Sequence, residues 1–140
     1  TLGLIFRNKL LHSSNLTTPD SIFLHKKINS LSKLKCKKII LEASSIGLDQ
    51  NRLYPLKFDA VAFSNLSRDH LDYHKSMNNY LNSKLLLFKE HLKKNSIAVI
   101  FSDSKYSDHF IKVCIQKKIL ILDFGKKANF LKINYIKKKQ

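Results

Sequence analysis

Two imidazoles, two carboxylates and a guanidinium fall within seven residues, Arg68 to His74, in the stretch Ser64-Asn-Leu-Ser-Arg-Asp-His-Leu-Asp-Tyr-His74. Groups of these types can hold a metal ion, move a proton or bind an anion. His70 and His74 are four apart, a spacing that can hold zinc from one helix face. The glutamate beside the first histidine of a zinc-hydrolase helix is missing, Leu71 stands there, and no obvious third ligand follows. One imidazole completing a magnesium shell beside carboxylates is a rarer use. A structural, hydrogen-bonded histidine is the plain one.

Other groups carry weaker signals. Glu42 closes the apolar run Lys38-Ile-Ile-Leu-Glu42. A buried carboxylate needs a cation or hydrogen-bond donors. A metal ion, a helix cap or a lysine at the sheet edge would each serve. Thr17 and Thr18 precede a helix start, where hydroxyls and free N–H groups either bind an anion or simply cap. Arg52 and Gln50 share a polar loop. Arg52 is one of only three arginines, and its planar fork suits phosphate or carboxylate. Nothing in spacing or composition singles out Lys84 among the many lysines.

These residues need elements to present them. Ala60-Val-Ala-Phe63 reads as a short buried strand, so the polar cluster lies at a strand's C-terminal end, where open α/β sheets bind ligands. Further strands are expected at residues 2–6, 38–42, 97–101, 118–123 and 130–136. A Ser/Asn/Thr loop is expected after the first of them. Helices are expected from Pro19 to about Lys35, capped by Thr17 or Thr18, from Met77 to Leu92, and from Tyr106 to Ile115. The first should bury a stripe of Ile22, Phe23, Ile28, Leu31 and Leu34, and Asp123-Phe-Gly125 should turn the chain. Strands alternating with helices predict an α/β fold with a mostly parallel sheet and helices on both faces.

The 140 residues suffice for one domain or part of one, and 44% hydrophobic content supports a core. No apolar run reaches the roughly 18 residues that span a bilayer, and no signal peptide is visible, so membrane insertion is not expected. Cys36 and Cys114 lie far apart with no CxxC spacing, which suits a reducing cytoplasm. The net charge of +16 would suit a nucleic-acid partner. The lysines are scattered, however, and Asn and Ile are plentiful, the pattern of an AT-rich genome, so a basic nucleic-acid-binding module is the lesser reading. Both ends fall next to strands, which reads as a fragment.

In order, Leu16-Thr-Thr-Pro-Asp20, Leu41-Glu-Ala-Ser-Ser45, Gly47-Leu-Asp-Gln50 with Arg52, Phe58 through His74, and Tyr80 through Lys84 to Phe88 resemble the central domain of MurE-type Mur ligases. The resemblance covers most of the chain and weakens after about residue 100. It implies an ATP-dependent ligase that adds the third amino acid, meso-diaminopimelate or L-lysine, to UDP-N-acetylmuramoyl-L-alanyl-D-glutamate through an acyl phosphate. It also implies that Glu42 and His70 hold Mg2+, together with Lys84 as a carbamate. Thr17, Thr18, Ser44, Gln50 and Arg52 match positions that contact the UDP-muramoyl substrate.

The chain departs from that pattern at Leu16, often Asn, at Ile46, usually His, and at Phe101-Ser-Asp-Ser104, where an Asn-x-Asp-Asp turn meets the nucleotide. No Walker A phosphate loop is present. Residues 1–140 are therefore expected to be a partial central domain, inactive alone. A degenerate, non-catalytic homologue is the alternative within the family, and nothing in the sequence indicates an oligomeric state.

Overall fold

The computed structural model describes residues 4–6, 9–12 and 15–134. The chain forms two compact units, Thr1–Pro55 and Leu56–Gln140.

In the first unit, strand β1 (Leu4–Phe6) pairs antiparallel with β2 (Lys9–His12). The hairpin thus claims the start of the expected polar loop, because a lone three-residue strand leaves its backbone groups unpaired. Helix α1 (Ser21–Lys33) is capped by Asp20, whose Oδ1 accepts from the Phe23 N–H at 2.9 Å. The expected cap, Thr17 or Thr18, is corrected by this contact. Leu24 and Leu31, seven apart, are the buried positions of α1, whereas Ile22 and Leu34 of the expected stripe are exposed. The run 38–42 is not a strand: no strand among the described residues pairs with it, and Ile40 is 97% exposed. β-Branched residues favour a strand only through the neighbours they pack against. The short helix α2 (Ser45–Asp49) follows.

The second unit holds a four-stranded sheet of β3 (Phe58–Phe63), β4 (Leu92–Phe101), β5 (Leu120–Gly125) and β6 (Leu131–Lys132), in that order and all parallel. Between β3 and β4 run α3 (Leu71–His74) and α4 (Met77–Glu90), and α5 (Ser107–Gln116) links β4 to β5. β4 begins earlier than residue 97, and its pairing with β3 is irregular up to Ala60↔Ile97. Asn95, at φ 59, absorbs that irregularity, since asparagine tolerates the left-handed region. The expected last strand shrinks to β6, and residues 135–136 lie outside the described residues.

Alternation sets the faces. Val61, Phe63, Ala98 and Ile100 point into a core with Leu81, Leu85 and Phe88 of α4 and Phe110 of α5. Phe110 stacks on Phe63 at 3.9 Å and meets Phe88 edge-on at 4.9 Å. Burying each such ring contributes roughly 1.5–3 kcal/mol. The alternate residues Ala60 and Ala62 are exposed.

Two aspartates shape the exit from the sheet. β5 continues through Gly125, where a turn was expected, and the chain then loops round so that β6 runs parallel beside its end. Asp103 accepts from the Lys126 and Lys127 N–H groups, both at 2.9 Å. Asp123 accepts from the N–H groups of Asn129 and Phe130 and from the Ser102 hydroxyl. Gly125 sits at φ 136, and a Cβ there would lie 2.9 Å from Asp103 Oδ1. No helix among the described residues is long and apolar enough to cross a membrane.

Candidate functional site

The candidate residues form two groups, one in each unit. In the first, Thr18 is the hub. It is 1% exposed, its hydroxyl donates to the Glu42 carbonyl at 2.9 Å, and it accepts from the Ser44 N–H at 2.8 Å. Ser44 in turn caps α2, its Oγ accepting from the Gly47 N–H at 3.0 Å. Gly47 is required by close approach: a Cβ would lie 2.6 Å from Thr18 Cβ. Arg52 donates through Nη1 to the Thr18 carbonyl at 2.8 Å, and through Nε and Nη2 to Gln50 Oε1. Its guanidinium is oriented by neutral oxygens alone, and among the described residues no carboxylate pairs with it. A cation fixed in this way suits an incoming anion. Thr17 is half-buried beside this hub, and the Glu42 side chain is exposed.

In the second unit, β3 feeds the loop 64–70, pinned by buried Leu66. His70 ends the loop in the left-handed region, φ 54 and ψ 27, a conformation that costs a non-glycine residue about 1 kcal/mol. Its N–H donates to Asp69 Oδ1 at 2.7 Å, and its carbonyl accepts from the His74 N–H at 2.9 Å. Its Nε2 lies 3.7 Å from Asp69 Oδ2, ion-pair range but too long for a hydrogen bond. Arg68, Asp69, His70 and Asp72 are exposed, while His74 is buried.

His74 belongs to a ladder of rings that the sequence reading missed. It stacks on Tyr80 at 5.0 Å with planes 13° apart, and meets Tyr73 edge-on at 4.8 Å. His70 meets Tyr80 edge-on at 5.9 Å. Burial, with the Asp69 charge second, raises the Tyr80 phenol above its ordinary pKa. The aromatic and imidazole rings in 70–80 were the available signal, but Lys75 at φ 66 breaks any single helical register between them. Lys84 is half-buried on α4, four residues beyond Tyr80. His70, Tyr80 and the helix of Lys84 are thus brought together, whereas Glu42 belongs to the other unit. Asp103, in the segment that replaces the expected nucleotide turn, is engaged with the 126–127 backbone instead.

A family model described as "Mur ligase middle domain" matches residues 1–140. The chain belongs to the Mur ligase family. Over 121 residues this Mur ligase domain is 42% identical to "UDP-N-acetylmuramoyl-L-alanyl-D-glutamate--2,6-diaminopimelate ligase" of Chelativorans sp. (strain BNC1), covering 86% of this chain and 25% of the relative. Proteins of the same name from Aquifex aeolicus (strain VF5) and Anaplasma marginale (strain St. Maries) are 40% and 49% identical. Those matches cover 87% and 75% of this chain, and 24% and 22% of the relatives. A solved structure of a ligase of that name is similar with a TM-score of 0.73 at 34% identity, covering 87% of this chain and 25% of that one. This Mur ligase domain therefore spans about a quarter of the length of the relatives it matches.

Proposed function

We propose that the polypeptide carrying this Mur ligase domain is a cytoplasmic, ATP-dependent amide ligase of peptidoglycan precursor synthesis. It adds a third amino acid to UDP-N-acetylmuramoyl-L-alanyl-D-glutamate. The observation that carries this reading is the identity, over most of the chain, to relatives all named for that reaction. Their names favour 2,6-diaminopimelate over lysine as the incoming residue.

In this reading the substrate's terminal carboxylate takes the terminal phosphoryl group of ATP, giving an acyl phosphate and ADP. The incoming amine attacks the acyl carbon, phosphate leaves, and the amine loses a proton. Arg52, oriented by Gln50 and the Thr18 carbonyl, binds an anionic part of the UDP-muramoyl substrate, with Thr17 and Ser44 alongside. Thr18, with its hydroxyl engaged at both lone pair and proton, contributes by holding Ser44 and Arg52 in place.

The resemblance assigns Glu42, His70 and Lys84 to Mg2+; of these, His70 and Lys84 lie in the second unit and Glu42 in the first. Among the described residues no three His, Cys, Asp or Glu side chains gather as a metal site; a carboxylate and a Lys84 carbamate would supply the hard oxygens that magnesium prefers. Bound there, the ion would neutralise charge on the transferring phosphoryl group. Lys84 has only donors as an ammonium. It becomes a ligand when its neutral amine adds to carbon dioxide and a proton is released.

The test is ATP-dependent ligation by the full-length protein and its Lys84→Ala variant. Activity should fall by at least about 10–100-fold, the loss that follows removal even of an outer partner of a metal site, and recover in part with added acetate. Undiminished turnover in the variant would remove Lys84 from the site. No turnover by the wild type would favour the non-catalytic homologue.

A further inference from the structure

We propose that Tyr80 is a positioning residue that fixes the His70 imidazole to helix α4, so that His70 and the helix bearing Lys84 are presented as one body. The proposal rests on the reading of His70 and Lys84 as metal-holding groups.

His70 stands in a poor place for a ligand that must be held still. It is exposed, at the end of a loop, and Asp69 Oδ2 stands 3.7 Å from its Nε2. An imidazole used as a ligand is ordinarily oriented by a partner on its far side. Here a buried ring contributes to that hold. Tyr80 is 7% exposed and part of the core of the second unit. One of its contacts is the stacked ring of His74, and another is a T-shaped contact with His70. Both separations fall in the range where ring pairs attract beyond simple burial.

The chain between these residues would otherwise be a weak link. Lys75, at φ 66, separates the four-residue α3 from α4. Side-chain contacts close that gap: the ring ladder, the Asn79 amide donating to the His74 carbonyl at 2.9 Å, and the Ser83 hydroxyl 3.4 Å from His74 Nδ1. Four residues beyond Tyr80 on the same helix is Lys84, a spacing that puts the two on one face. Tyr80 thus joins the loop that offers the imidazole to the helix that offers the lysine. Filling the core needs only a large apolar side chain at this position. Positioning His70 needs an aromatic ring.

The experiment uses the full-length protein with Mn2+ as probe, free ion being read from its electron paramagnetic resonance signal without turnover. Variants are Tyr80→Phe, Tyr80→Leu and His70→Ala, each taken at a temperature below its melting transition. Tyr80→Phe should keep wild-type affinity and Tyr80→Leu should lose about 10–100-fold, the effect of removing the partner that orients a metal ligand. Unchanged affinity in Tyr80→Leu with loss in His70→Ala overturns the positioning role and leaves the metal reading standing. Unchanged affinity in both overturns the metal reading and the inference with it. If Tyr80→Leu does not fold, the wild type decides by nuclear magnetic resonance. A His70 ring C–H proton displaced by the Tyr80 ring current supports the contact, and a free-imidazole position overturns it.

Discussion

The Thr18 hydroxyl donates a 2.9 Å hydrogen bond to the Glu42 carbonyl, 24 residues away. The same oxygen accepts from the Ser44 N–H, so one buried atom fixes both sides of Ala43. Thr18→Val keeps the shape and removes both bonds. It should lower stability by about 1–3 kcal/mol, because a carbonyl and an N–H lose their partner. Thr18→Ser should lose much less. Urea midpoints for the two variants check this; equal midpoints would mean the hydroxyl contributes nothing.

Gly47→Ala should destabilise the same region from the opposite side. The new methyl would lie 2.6 Å from Thr18 Cβ and 2.9 Å from Ser44 Oγ. Forced overpacking of this kind costs typically 1–3 kcal/mol. A second change, Thr18→Ser, removes the Thr18 methyl, which would lie 2.8 Å from the new carbon. The double variant should therefore be more stable than the sum of the two singles. Strict additivity in thermal melts would show that the Thr18 methyl takes no part in the clash.

The sheet and its core helices were legible because their signals are local. The apolar runs of β3 and β5 and the period of α4 survive folding with small changes of boundary, while β4 starts five residues before its apolar run, at Leu92. The failures share a cause, since each depended on a contact that no periodic pattern in the sequence displays. Residues 38–42 have the composition of a strand but no strand to pair with among the described residues. Three side chains with oxygen, Thr17, Thr18 and Asp20, competed for one helix cap, and Thr18 was already committed to Glu42 and Ser44. His70 was visible as a polar oddity at a strand end. Tyr80 was visible only as a core residue, because its contacts with His70 and His74 cross the break at Lys75.

The turn after β5 should loosen in acid. The Lys126 and Lys127 N–H groups hold the Asp103 carboxyl below the usual carboxylate range. Burial pushes Asp123 up, but the Asn129 and Phe130 N–H groups and the Ser102 hydroxyl together outweigh it, so it too is lowered. A carboxyl whose folded pKa lies below its unfolded value of 3.8 stabilises fully above that value. The contribution is lost as pH falls through the lower, folded pKa. Amide exchange at residues 126–130 should therefore speed up below about pH 4, after allowance for intrinsic rates. Asp123→Asn should show the faster exchange already at neutral pH. Constant protection down to pH 2 would argue against the two clamps.

Arg52→Lys separates charge from geometry in the proposed substrate site. The guanidinium spans the Thr18 carbonyl and Gln50 Oε1 with three nitrogens. A lysine keeps the charge but cannot make both contacts in one plane. If a fixed fork receives an anionic group of the UDP-muramoyl substrate, the KM for that substrate should rise about 10–100-fold, the equivalent of one hydrogen bond to a charged group. The maximal rate should change less, because the contact is remote from the bond being made. Gln50→Leu leaves the charge and removes one of the two orienting oxygens, so it should shift KM in the same direction by a smaller factor. Steady-state kinetics on the full-length protein measure both. An unchanged KM in Arg52→Lys would show that any cation suffices and that the ordered fork plays no part in recognition.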